Sequence, residues 1–318
     1  MKRKRDSRVP PPSVSAGRKL QSAPILVTGA TGLIGRHLVR ALIDSGAEVF
    51  AVVRPGRERL LPDDVRTVVW DLREDRVRSV LPRQLSAVVH LAAPRDRRSS
   101  SNAMTAAHIR LTVDAGARLF EAARVRDVSH VISMSSIAVL GPQHRGGRGQ
   151  RRVVTPPTHS YALVKRWGED LAVNLRQHVR HVTIVRPGPV YGPGQSVFGL
   201  LPRFVACLRQ REPIAIAAPR GRLVSPVFVG DVVDLLVASL ADPDNGTWNI
   251  GGPSAHREGT LIDDLARHLG VRARIRVDQN RRSGRFDIDN TEIDRRFPRR
   301  RQTPWAVGKG ITWARAET

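Results

Sequence analysis

Residues 25–35 read Ile25-Leu26-Val27-Thr28-Gly29-Ala30-Thr31-Gly32-Leu33-Ile34-Gly35. The first three form a short apolar run, and glycines punctuate the next eight. Beyond them Ile34, Leu38, Val39 and Leu42 recur at helical spacing as far as Ser45, and Gly46 ends the pattern. A strand, a tight G-x-x-G-x-x-G turn and a helix are therefore expected in succession. Gly29 would make the turn, Gly32 would let the backbone approach a pyrophosphate, and Gly35 would let the helix pack on the sheet. The free N–H groups and positive dipole end of the helix, with Thr31, Leu33 and Ile34 beside them, would hold the anion. A glycine-rich loop alone is a weak signal. Its place between strand and helix makes dinucleotide binding the reading, with a tight turn that binds nothing as the alternative.

The same alternation continues downstream. Apolar runs at Glu48–Val53, Thr67–Trp70, Ala87–Leu91, His130–Met134 and Val182–Val185 read as strands. Helical patterns cover Leu33–Ser45, Ala103–Arg126 and Tyr161–Gln177. Strands alternating with helices imply parallel pairing, so the fold class is α/β, a Rossmann-type doubly wound parallel sheet. After Arg186 the alternation loosens. Helices are expected at Val197–Arg211, Asp231–Leu240 and Thr260–Leu269, and strands at Ile214–Ala217 and Thr247–Ile250. Residues 271–301 are Arg-rich and weakly periodic. The expected division is a basic tail at 1–23, a dinucleotide-binding domain at 24–188 and a smaller substrate-binding region at 189–318, with late elements returning to the first domain.

The chain has 318 residues, of which 53 are Lys or Arg and 29 Asp or Glu, for a net charge of +24. Only Lys2, Lys4, Lys19, Lys165 and Lys309 among the basic residues are lysines. Much of the excess falls on the tail, on Arg95–Arg98, on the Pro142–Pro157 loop and on the Arg-rich C-terminal stretch, outside the expected core. That placement favours a general preference for Arg on loops, with loops near the site attracting phosphate-bearing ligands, over a specific nucleic-acid surface. Aromatics at 4% leave little for base stacking. No apolar run reaches membrane-spanning length. The single cysteine, Cys207, excludes a disulfide framework and fits a reducing, cytoplasmic setting. A nuclear-localisation or transit reading of the tail stays open. No cluster has metal-ligand spacing, and His37 and His90 read as structural.

The end of the second strand chooses between cofactors. NAD binders usually carry an acid there for the ribose 2′-hydroxyl. Here the sequence runs Val52-Val53-Arg54-Pro55-Gly56-Arg57. Arg54 suits a 2′-phosphate bidentately, which favours NADP and leaves NAD as the alternative. Asp71, after the third strand, is a candidate acceptor for the adenine amino group. Tyr161 and Lys165 stand at i and i+4 of a helix and so share a face. A neighbouring ammonium would lower the phenol pKa from about 10, making Tyr161 a general acid/base. Ser136, at the carboxyl end of the fifth strand, could hold the reacting oxygen; alone it would read as a turn cap.

Taken together these motifs resemble the extended short-chain dehydrogenase/reductase family, the NAD-dependent epimerase/dehydratase group. The likeness runs from about Ile25 to Ile250. It includes Asp71-Leu72, His90-Leu91-Ala92-Ala93, Ser135-Ser136, Tyr161 with Lys165, Arg186-Pro187-Gly188-Pro189-Val190-Tyr191-Gly192-Pro193-Gly194, Val229-Gly230-Asp231 and Trp248-Asn249-Ile250-Gly251-Gly252. Pro304-Trp305 through Gly310-Ile311 resembles its closing segment. The resemblance implies Ser136, Tyr161 and Lys165 as the catalytic set. It also implies cofactor contacts from Leu72, Leu91, Ala92, Ala93, Gly188, Val190, Tyr161 and Lys165. A homodimer is implied by analogy with the family alone.

Three positions depart from the family pattern. Thr112 stands where members often have an Asn that supports a proton relay. Val224 stands where nucleotide-sugar members commonly place an Arg, with Arg222 two residues earlier on the same strand face. The loop after Gly141 is unusually basic. The expected activity is hydride transfer between a nicotinamide cofactor and a secondary alcohol or ketone, on a nucleotide sugar or on another carbonyl metabolite such as a polyketide, terpenoid or aldehyde. A cofactor-binding or RNA-associated protein without chemistry is the rival reading, and an intact Tyr161, Lys165 and Ser136 argues against it.

Overall fold

The computed structural model describes residues 24–94, 106–141, 160–195, 199–281 and 284–305. The basic tail, Arg95–Arg98, the Pro142–Pro157 loop, the expected helix starts at Ala103 and Val197, and Gly310-Ile311 lie outside the described residues. Seven parallel strands form the main sheet: β1 (Ile25–Thr28), β2 (Val49–Val53), β3 (Arg66–Val69), β4 (Ala87–His90), β5 (His130–Met134), β6 (His181–Pro187) and β11 (Thr247–Ile250). Their spatial order is β11-β6-β5-β4-β1-β2-β3, the doubly wound Rossmann arrangement with one added edge strand.

Period-two alternation explains why the central strands read as continuous apolar runs. In β1, Ile25 and Val27 join one core and Leu26 the other. In β4, Ala87 and Val89 go one way and Val88 the other. Each face needs its own apolar cover, so both residue sets must be hydrophobic. On one face lies α1 (Leu33–Asp44), with Leu38, Val39 and Leu42 packed in the same core as Val232, Val233 and Leu236 of α6 (Val229–Ala241). On the other lie α3 (Ala115–Val125) and α4 (Ser160–Leu175), through Leu119, Phe120, Ala172 and Leu175. A short α2 (Val77–Val80) precedes β4.

The long helix expected before β5 is interrupted. Residues Ile109–Asp114 are π-helical and pass directly into α3. Such a bulge inserts a residue into the helical register, and hydrophobic spacing alone does not reveal it.

The remaining elements lie outside the main sheet. They are β7 (Val190–Tyr191), α5 (Leu200–Arg209), β8 (Ile214–Ile216), β9 (Leu223–Val224), β10 (Val227–Phe228), β12 (His256–Arg257), α7 (Glu258–Leu269), β13 (Ile275–Val277), β14 (Arg285–Phe286) and α8 (Thr291–Arg296). β13 pairs with β8, β9 lies between β12 and β14, and β7 pairs with β10. The weakly periodic 271–301 stretch thus supplies two short strands and a helix.

The last described residues bind α6, which covers the sheet, together with α7 and β7. Thr303 donates to Asp231 from its backbone N–H and its hydroxyl, both at 2.7 Å. Trp305 Nε1 donates to Asp264 at 3.1 Å, and its ring meets Tyr191 edge-on at 5.0 Å. No helix among the described residues is long and apolar enough to cross a membrane.

Candidate active site

A cleft of about 1040 Å³ opens over the carboxyl ends of the parallel strands. It spans β1 to the start of α1, the ends of β2 and β3, the segment after β4, the turn after β5, and the Tyr161 turn of α4. The loop after β6 and the entry to α5 close its far side. Every residue expected from sequence to touch cofactor or substrate lines it, from Gly29 and Thr31 through Arg54, Asp71, Leu72 and Ala93 to Ser136, Tyr161, Lys165, Gly188 and Val190.

The glycine turn has no room for side chains. Gly29 has φ +69°, and a Cβ there would lie 2.8 Å from the backbone N of Ala92. A Cβ on Gly35 would come within 2.2 Å of the Gly29 carbonyl. These contacts pull the β1 turn against both the β4 end and α1. Gly32 is the N-cap of α1 and offers no side-chain cap, so the first N–H groups of the helix remain available. That cradle fits a pyrophosphate by backbone donors and helix dipole.

At the β2 end of the cleft Arg54 is exposed, and no carboxylate stands directly after β2. Asp71 is buried and clasped by Arg73, which donates to both carboxylate oxygens at 2.5–3.1 Å. Those hydrogen bonds hold the Asp71 carboxyl below its usual range. The Arg73 backbone N–H donates to Oδ1 as well, at 3.0 Å, so three donor hydrogens meet the carboxylate's about four acceptor sites and one site is left.

Beneath the turn His90 is fully packed, with Nδ1 2.8 Å from Thr28 Oγ1. Burial, then the nearby Lys165, push its pKa down to about 3, so the ring is neutral at ordinary pH. His37 Nε2 lies 3.1 Å from the Pro193 carbonyl oxygen, joining α1 to the loop after β7. Both histidines thus have a place in packing.

The catalytic candidates meet at the centre. Lys165 is only 5% exposed, and its Nζ donates to the Met134 carbonyl at 3.0 Å. Burial lowers its pKa to about 8, with Glu169 pulling the other way. Tyr161 stands one turn earlier on the same face. Ser136 caps the turn at Ile137–Leu140, its Oγ accepting from Ala138 N at 3.3 Å. That bond uses an acceptor site and leaves the hydroxyl proton to donate into the cleft.

Several lining residues were not singled out from sequence. His108 packs edge-on against Tyr161 at 5.5 Å. Arg110 and Arg203 reach the cleft, and no side-chain partner of either occurs among the described residues. Gln195 is buried, donates Nε2 to the Val190 carbonyl at 2.9 Å, and has an Oε1 without a partner among the described residues. Val224 and Arg222 both line the cleft, as strand alternation predicts, but Arg222 is held by the buried Glu258 at 2.6 Å. Thr112 lies in the π-helical segment, buried, its hydroxyl unpartnered among the described residues. For Arg203, placement in the first turn of an amphipathic helix was a usable signal; for His108 none existed.

Comparison with known proteins bears on the family and the fold. The model of the NAD dependent epimerase/dehydratase family matches residues 25–251. The dTDP-4-dehydro-6-deoxy-D-allose reductase of Streptomyces bikiniensis is 32% identical over 286 residues, covering 82% of this chain and 85% of that protein. The ceramide reductase of Caulobacter vibrioides is 29% identical over 248 residues, covering 76% and 68%. Among solved structures, MoeE5 in complex with UDP-glucuronic acid and NAD superposes with a TM-score of 0.78 at 29% identity, covering 93% of this chain and 100% of that one. A glycine turn at the head of a seven-stranded parallel sheet, a cleft over its carboxyl ends and a family match across most of the chain lead to one conclusion: this protein belongs to the NAD dependent epimerase/dehydratase family, and is an NAD(P)-dependent oxidoreductase of the extended short-chain dehydrogenase/reductase type.

Proposed function

We propose that the chain transfers hydride between NADP(H) and a secondary alcohol or ketone carbon on a nucleotide-linked sugar. The observation that carries this reading is one cleft holding Tyr161 and Lys165 between two cationic ends. Arg54 lies at the adenosine end. Arg203 and the uncapped N-terminus of α5 at Gly199 lie at the other. Exposed arginine at the first end supports a 2′-phosphate and hence NADP. Cationic groups at the second support a phosphate-bearing substrate, in keeping with the names of the sugar-nucleotide relatives.

The nicotinamide, when bound, supplies the hydride chemistry. The chain's own residues do the rest. Gly29, Gly32 and the start of α1 seat the pyrophosphate, while Leu91, Ala92, Gly188 and Val190 bound the dinucleotide. Ser136 donates its hydroxyl proton to the substrate oxygen and fixes its position. Tyr161 moves a proton at that same oxygen, and Lys165 favours the tyrosinate form by its charge. Gln195 Oε1, without a partner among the described residues, suits a sugar hydroxyl as donor.

A second reading, reduction of an uncharged carbonyl metabolite, draws on Val224, Val190 and Phe286, which give the substrate side an apolar wall. The deciding experiment follows reduced-nicotinamide absorbance with dTDP-4-keto-6-deoxyhexose and with uncharged ketones. Arg203→Ala should raise KM for the nucleotide substrate by about tenfold, the worth of one charge-assisted contact, and leave NADPH affinity unchanged. Efficient turnover of ketones alone would favour the second reading.

A further inference from the structure

Lys165 has an acid one turn away that it does not touch. Tyr161, Lys165 and Glu169 follow at i, i+4 and i+8 of α4, a spacing at which Lys and Glu commonly pair. Lys165 and Glu169 are 5% and 3% exposed, so the attraction between them is poorly screened. Yet Lys165 Nζ donates to Met134 O, and no ion pair joins it to Glu169. The Glu169 carboxylate is taken instead by Arg186, whose Nε and Nη2 form a buried fork at 2.7 and 2.6 Å.

The two anchors are neighbours in the sheet. Met134 of β5 pairs with Val185 of β6, the residue before Arg186. The helix is therefore tied to adjacent strand ends one turn apart, once through Lys165 and once through Glu169. Between the ties, Gly168 lets Thr112 come close: a Cβ there would lie 3.0 Å from Thr112 Cγ2. Among the described residues His90 at the end of β4 and His108, edge-on to Tyr161, are ionisable groups that also face this cluster.

We infer that Arg186 is a positioning residue for the proton-transfer pair: by occupying Glu169 it keeps the Lys165 ammonium on Met134 O, on the Tyr161 side. Without Arg186 the uncompensated buried carboxylate would capture the ammonium. This inference rests on the reading of Tyr161 as the general acid/base.

The test needs no substrate. The chain has two tyrosines, Tyr161 and Tyr191, and burial pushes the Tyr191 hydroxyl well up. The first tyrosinate absorbance phase of NADP⁺-saturated protein therefore reports Tyr161. In the wild type it should fall below the usual value of about 10. Arg186→Met should move it up by about one pH unit or more. Arg186→Met combined with Glu169→Gln removes the captor as well, and should return the phase to within about 0.3 pH units of wild type. If the fork were only a structural tether, the double variant would stay as displaced as the single one. An unmoved phase in Arg186→Met, or a displaced one in the double variant, overturns the inference. Should Arg186→Met fail to fold, Arg186→Gln, which keeps a hydrogen bond to Glu169 but not the charge that neutralises it, takes its place by the same criterion. A wild-type phase at or above about 10 overturns the Tyr161 reading itself.

Discussion

Thr28 Oγ1 and His90 Nδ1 lie 2.8 Å apart and join the ends of β1 and β4 directly beneath the glycine turn. The same hydroxyl accepts from Ala92 N at 3.4 Å, so one side chain links the two loops that bound the cleft. His90 is neutral in the fold because burial and Lys165 hold its pKa at about 3, against 6.5 in the unfolded chain. Between those values the unfolded state binds more protons, so stability falls as pH drops below 6.5. At pH 5 the loss from this group is about 2 kcal/mol. His90→Gln has nothing to titrate there. Its denaturant midpoint should drop less between pH 7 and pH 5 than that of the wild type, and equal declines in the two proteins would refute the assignment.

Tyr161 is one turn from a lysine held against Met134 O, and no second phenol among the described residues lines the cleft. Tyr161→Phe keeps the ring, including its edge-on packing on His108, and deletes only the proton carrier. Turnover should fall by roughly 10²–10⁴, the span expected for a lost general acid/base. NADPH binding, followed by fluorescence titration, should stay within about twofold. Near-wild-type turnover in this variant would remove Tyr161 from the mechanism.

Arg54 is exposed, with no acid directly after β2, and is the residue on which the proposed preference for NADP rests. Its loss should discriminate between cofactors. Arg54→Ala should weaken NADPH by about 10- to 100-fold, the worth of one charge-assisted bidentate contact, and leave NADH unchanged. Equal losses for both cofactors, or tighter NADH binding by the wild type, would point to NAD instead.

What the sequence made legible here was local. The glycine turn could be read because strand, loop and helix are contiguous, and Tyr161 with Lys165 because four residues span one helical turn. His130–Met134 and Thr247–Ile250 matched their strands residue for residue. What escaped was decided by partners far along the chain. β13 and β14 exist because Ile214–Ile216 and Leu223–Val224 offer edges to pair with, and nothing in residues 275–286 announces those edges. The Glu169–Arg186 fork joins a helix to the next strand across 17 positions. Glu169 could have been read from its i+4 spacing to Lys165, but its engagement by Arg186 could not. The π-helical turn that carries Thr112 keeps the apolar spacing of an ordinary helix and leaves no pattern to detect.

Lys165 also sets stability against activity. Its pKa is about 8 in the fold and 10.5 in the unfolded chain, so keeping the ammonium buried costs roughly 3 kcal/mol at neutral pH. Between those two values the unfolded state binds more protons, so this cost is relieved as pH rises. Lys165→Met fills the same channel without charge. It should stabilise the protein at pH 7 by about 1–3 kcal/mol, the lower end allowing for the Met134 carbonyl left without a donor. The advantage should shrink toward pH 10 as the wild-type lysine neutralises. Turnover should fall with the loss of the charge that favours tyrosinate. Denaturant midpoints at pH 7 and pH 10 measure the first effect, and reduced-nicotinamide absorbance the second. A Lys165→Met protein less stable than the wild type at pH 7 would show that the ammonium is a net support of the fold, and that its burial is no strain on it.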